Sequence, residues 1–161
     1  MKRYILHLVF ALLGCMALSA CVDNDYMELD KGHNELALST SNTEVVLDEQ
    51  AHGDDALELS WTTGTNYGTG NKISYTLELA KAGSNFAAPY VALENVVQEY
   101  TWKKSVEELN SILREHFGAE ATENISLEAR LTAKVMDREE TQVATTSFSV
   151  TAYKPLTSTL Y

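Results

Sequence analysis

From Glu35 onward apolar and polar residues alternate with a period of two, and this constrains the fold more than any other feature of the chain. Leu57, Leu59 and Trp61 alternate with Glu58, Ser60 and Thr62. Ile73, Tyr75, Leu77 and Leu79 alternate in the same way with Ser74, Thr76, Glu78 and Ala80. The longest run sets Ile125, Leu127, Ala129, Leu131, Ala133 and Val135 against Glu128, Arg130, Thr132 and Lys134. Such a strand buries one face and wets the other. Leu36 and Leu38, then Val45 and Leu47 beyond a Ser41-Asn42 turn, supply shorter pieces. Val91 to Trp102 is a less regular run with a turn near Glu94-Asn95, and Phe148, Val150 and Ala152 form the last strand. About seven short strands joined by polar turns predict a mainly β protein, an antiparallel β-sandwich.

One segment breaks the pattern. Val106, Leu109, Ile112, Leu113 and Phe117 fall at helical spacing. Ser105 and Glu108 form a capping box, and Gly118 stands where a left-handed cap closes a helix. The spacing predicts one amphipathic helix over about 105–117, lying across an open end of the sandwich where the chain passes between sheets. Gly64 to Gly70 lacks the phosphate-loop spacings and reads as a hairpin turn. Pro155 ends the domain, giving a sandwich over 35–154 and a short tail over 155–161.

The N-terminus carries an address. Met1-Lys2-Arg3 is a basic start, Tyr4 to Ala17 an apolar run too short to span a bilayer, and Leu18-Ser19-Ala20-Cys21 has the pattern of a bacterial lipobox. Residues 1–20 then form a lipoprotein signal peptide, with Cys21 the lipidated first residue of the mature chain. An ordinary secretory signal followed by a chance Cys is the alternative. Cys15 leaves with the signal, so Cys21 has no partner for an internal disulfide, and thioether attachment to lipid uses its thiol. Residues 21–34 are polar, acidic and aperiodic, as in a flexible tether. The acidic cluster after Cys21 resembles export signals of surface-displayed lipoproteins.

Charge narrows the partners. The 161 residues carry 12 Lys+Arg and 23 Asp+Glu, a formal charge of −11. Loss of residues 1–20 removes Lys2 and Arg3 and makes it −13. So acidic a surface repels phosphate and argues against nucleic acid.

Candidate sites are sparse. Asp23-Asn24-Asp25 only faintly matches a calcium loop, because Glu28 and Asn34 occupy the positions that need Gly and Glu. His33, His52 and His116 are scattered, without a zinc-ligand spacing. No Gly-x-Ser-x-Gly nucleophile motif occurs. A glycosidase needs two carboxylates at a controlled separation, and among 23 acids some pair always qualifies. The expectation is a protein without enzymatic activity, cofactor or metal. A sugar site needs exposed aromatic faces. Trp61 is in phase with the core, and Trp102 is placed to pack under the helix. Tyr67 and Tyr90 border loops and are the candidate ligand-binding rings.

Several elements resemble, in their order and spacing, a known family: the lipobox, the polar tether, Leu57-Glu58-Leu59-Ser60-Trp61 and Ile73-Ser74-Tyr75-Thr76-Leu77-Glu78-Leu79. Tyr100-Thr101-Trp102, leading into Glu108 to Leu113, and Leu127-Glu128-Ala129-Arg130-Leu131 complete the set. Over roughly 35–154 the chain resembles the N-terminal domain of SusE-like outer-membrane lipoproteins of starch-utilisation-type systems. The resemblance implies a fibronectin-III-like or immunoglobulin-like sandwich, outward display from the outer membrane, and work beside a TonB-dependent transporter and a SusD-like lipoprotein. In that family the platforms for starch or another polysaccharide lie in later domains. The implied role here is a spacer or accessory glycan-binding module. The alternative is a structural subunit of fimbrial or adhesin type.

Overall fold

The computed structural model describes residues 34–95 and 99–155. The expected signal peptide over 1–20, Cys21, the expected tether up to His33 and the tail from Leu156 lie outside the described residues. Among the described residues eight strands form two sheets. A three-stranded sheet has the order β1–β3–β6: β1 (Leu38–Thr40), β3 (Asp55–Trp61) and β6 (Thr101–Ser105). A five-stranded sheet has the order β2–β8–β7–β4–β5: β2 (Glu44–Val46), β8 (Thr141–Thr151), β7 (Asn124–Val135), β4 (Ile73–Lys81) and β5 (Tyr90–Asn95). The sheets pack as a sandwich with one helix, α1 (Val106–Phe117).

Alternation places the core. All six odd-numbered residues from Ile125 to Val135 are buried, and Leu57, Leu59, Leu77 and Leu79 meet them with almost no exposure. Each such leucine contributes about 1.5–3 kcal/mol by leaving water. The helix crosses from β6 in one sheet to β7 in the other, as expected. Val106, Leu109, Ile112, Leu113 and Phe117 face the core. Ser105 Oγ accepts from the Glu108 N–H, the Glu108 carboxylate accepts from the Ser105 N–H, and Gly118 closes the helix at φ 65°. Two further first-turn donors are satisfied by the loop that leads into β3: the Val106 N–H by Asp54 O at 2.9 Å and the Glu107 N–H by His52 O at 3.1 Å.

Three local expectations need correction. The chain moves from β1 to β2 by changing sheets without reversing direction, so β2 pairs parallel to β8, whereas every other pairing is antiparallel. The Gly64–Gly70 segment is not a hairpin turn, because it joins β3 in one sheet to β4 in the other. Glu94-Asn95 is no turn within one run but the end of β5, and β6 belongs to the opposite sheet.

The register fixes the two ends of the sandwich. Leu38 lies opposite Trp61, and Thr62 is bonded to both Glu35 and Ala37. The chain therefore comes in at the end that holds the 62–72 and 136–140 loops. It leaves at the other end, where the buried Asn110 side chain accepts from the Tyr153 N–H at 3.0 Å and donates to Tyr153 O at 3.2 Å.

Candidate functional site

The candidate ring Tyr67 sits in the 62–72 loop, which is strapped to β8. The Gln142 amide accepts from the Thr65 N–H and donates to Thr65 O, both at 2.8 Å. Gly64 allows this approach. Its φ is +68°, and a Cβ there would lie 2.9 Å from Gln142 Oε1. Tyr67 itself has φ 57°, with its N–H donating to Thr65 Oγ1, and is 42% exposed. One face of the ring lies 4.6 Å from the Arg138 guanidinium, and Arg138 Nε is 3.2 Å from a Glu140 carboxylate oxygen. The hydrogen bond that Arg138 donates to Glu140, then the carboxylate's charge, raises the Arg138 pKa, and the same bond lowers that of Glu140.

Tyr90 is differently placed. It opens β5 opposite Leu79, is half-buried, and stacks against His116 of the last helical turn with centroids 4.3 Å apart. Six residues of β4 at about 3.3 Å each put roughly 20 Å between the Tyr67 end and Tyr90. The two rings do not form one site. Trp61 and Trp102 are buried in the core. Trp61 heads an aromatic group with Tyr75 and Tyr100, and the Tyr75 hydroxyl donates to Thr63 O at 2.6 Å. Burial, then the neighbouring Tyr100, pushes the Tyr75 hydroxyl far above the ordinary tyrosine range.

A third surface aromatic escapes a reading by periodicity. Between β4 and β5 a tight turn with an Ala87 N–H to Ser84 O bond holds Asn85 at φ 52° and Phe86 at φ 54°. Glycine ordinarily takes the second of these positions. The turn folds onto the outer face of the five-stranded sheet, where Ala80 is buried and the Phe86 ring lies 4.2 Å from the Arg130 guanidinium. Arg130 is paired with Glu78 at 2.8 Å. Gly83-Ser84-Asn85 signals a turn, but nothing in the period marks Phe86 as its occupant.

Two of the clefts on the described surface bear on function. One, of about 500 Å³, lies between the C-terminal half of α1, residues 118–120 and Pro155, and displays Ser111, Arg114, Glu115 and Glu120. The other, of about 220 Å³, lies at the Tyr67 end between Lys72, Ser74, Lys134, Val135, Met136 and Asp137. No group of three His, Cys, Asp or Glu side chains able to hold a metal occurs among the described residues. These surfaces display aromatic rings laid on arginines, hydroxyls and, in the smaller cleft, Lys72 and Lys134.

Residues 23–132, two thirds of the chain, match the family described as SusE outer membrane protein. The match ends within β7 and leaves β8 outside it. No curated protein matches the chain.

Proposed function

This chain belongs to the SusE outer membrane protein family, and from that premise we propose that it is a non-catalytic, lipid-anchored spacer and accessory glycan-binding module on the outer face of the outer membrane. The anchor is Cys21, and the partners are a TonB-dependent transporter and a SusD-like lipoprotein. The observation that carries the reading is the axial path of the chain. The 13 residues from Val22 to Asn34 lead into the Tyr67 end, whereas Pro155 lies at the helix end. Twelve residues of β7, at about 3.3 Å each, span roughly 40 Å between those ends. A sandwich held in that way stands off the membrane and turns α1 outward. Several acyl chains at ~0.8 kcal/mol per buried CH₂ make such an anchor effectively permanent.

The test is co-purification. Affinity-tagged chain, extracted in mild detergent from cells grown on polysaccharide, is expected to bring down the transporter and the SusD-like lipoprotein. Cys21→Ser is expected to leave the outer-membrane fraction. Recovery of the wild-type chain alone, or a Cys21→Ser variant that stays in the outer membrane, would contradict the proposal.

A further inference from the structure

The outer face of the five-stranded sheet carries features that a merely solvated face does not need. Two aromatic residues, Tyr67 and Phe86, have left-handed backbones, at a steric cost of about 1–2 kcal/mol each. Each lays one ring face on an arginine that is itself held by a glutamate: Arg138 with Glu140, and Arg130 with Glu78. Between the two rings runs β7. Five residues at about 3.3 Å place Val135, where the turn carrying Arg138 begins, some 17 Å from Arg130. Along this stretch the outward residues are Arg130, Thr132 and Lys134 on β7, opposite Glu78, Thr76 and Ser74 on β4. Thr145, Val143 and Thr141 of β8 extend the same rows.

The 220 Å³ cleft opens on this face and at its Tyr67 end. Lys72 and Lys134 line it, with Asp137 the one carboxylate among the lining residues. Neither lysine takes part in an ion pair among the described residues. In a chain of formal charge −11, a cleft with two uncommitted ammonium groups and one carboxylate is a local reversal of sign. Ring faces suit the C–H faces of sugars, hydroxyls suit sugar hydroxyls, and ammonium groups suit carboxylates.

We infer that this face, from Phe86 and Arg130 to Lys72 and Lys134, binds a linear polysaccharide bearing uronic-acid carboxylates. The inference rests on the accessory-module reading above and adds both a place and a substrate class. The two rings bound the track, Thr76 and Thr132 meet the hydroxyls of the polymer, and the lysine pair meets a carboxylate at the cleft.

Native affinity electrophoresis tests it, with polygalacturonate as the anionic probe and soluble starch and xylan as neutral ones. Wild-type chain is expected to be retarded by polygalacturonate, less so as salt is raised, and not by the neutral polymers. Lys72→Gln/Lys134→Gln is expected to weaken retardation about tenfold with unchanged thermal unfolding, because both side chains lie at the surface. Phe86→Ala adds a second arm that leaves the charges in place and weakens retardation too. Absence of retardation in polygalacturonate, or retardation equal in wild type and the lysine double variant, overturns the inference. Retardation by starch or xylan alone overturns the anionic class. A chain that co-purifies with the transporter yet ignores polygalacturonate sinks this inference and leaves the spacer reading standing. A chain that does neither sinks both.

Discussion

Asn110 is the buried polar side chain on which the junction between α1 and the end of the sandwich depends. It is 2% exposed, and its amide meets both the N–H and the C=O of Tyr153, as a neighbouring strand would. Asn110→Ala removes both bonds. At about 1 kcal/mol net for each, with the added cost of backbone groups left without a partner, the loss comes to roughly 2–3 kcal/mol. For a domain of this size that lowers Tm by roughly 8–12 °C. Urea unfolding followed by circular dichroism measures it, with the midpoint moving and the slope unchanged. Asn110→Asp separates the bonds from the packing. A carboxylate still accepts from the Tyr153 N–H but, when ionised, faces the Tyr153 carbonyl, so folding raises its pKa. A group whose pKa is raised by folding adds stability below its unfolded pKa and loses it as pH rises through the folded value. The Asn110→Asp deficit should therefore be larger at pH 7 than at pH 4, whereas that of Asn110→Ala should be flat. A loss below about 0.5 kcal/mol for Asn110→Ala, or equal deficits at both pH values for Asn110→Asp, would refute the reasoning.

Three further predictions follow from the same structure. Leu113→Ala empties a fully buried site under the helix and should cost about 3–5 kcal/mol in urea unfolding. Gly64→Ala meets both a positive φ and the Gln142 amide, and should cost roughly 1–3 kcal/mol. In thermal melts its damage should fall when Gln142→Ala is combined with it, because the clash is then gone. Glu108 has its pKa lowered first by the Ser105 N–H and then by Lys104. Its contribution is present above the ordinary carboxylate pKa and is lost as pH falls through the lowered one. Glu108→Gln should flatten that part of the acid limb of the stability profile, and an unchanged acid limb would contradict the assignment.

How far the sequence foretold the molecule depended on whether burial was one-sided. β7 was legible because its odd residues are all buried and its even ones all at least partly wet. The helix was legible because its caps are local chemistry, Ser105 with Glu108 and then Gly118. The first half of β8 was not. Its residues Gln142, Ala144 and Thr146, in phase with Phe148, are only partly buried, so the apolar period appears only from Phe148. Sheet membership was equally hidden, because alternation says which face is wet but not which sheet a strand joins, as β2 and β5 show. Of the two candidate rings, Tyr67 is exposed as its loop suggests, whereas Tyr90 has His116 against its face, a contact that depends on where the helix ends in space. Phe86 was missed because a phenylalanine at a left-handed turn position contradicts propensity, and only its contact with Arg130 shows why it stands there.

The central claim, a sandwich tethered at its loop end and displayed outward, is tested most directly on intact cells. Ser111 is exposed on α1, at the end of the sandwich away from the 62–72 and 136–140 loops. The Ser111→Cys variant, treated with a membrane-impermeant maleimide, should label to the same extent before and after the cells are permeabilised. Labelling that requires lysis would place the helix end inside the envelope and contradict the account.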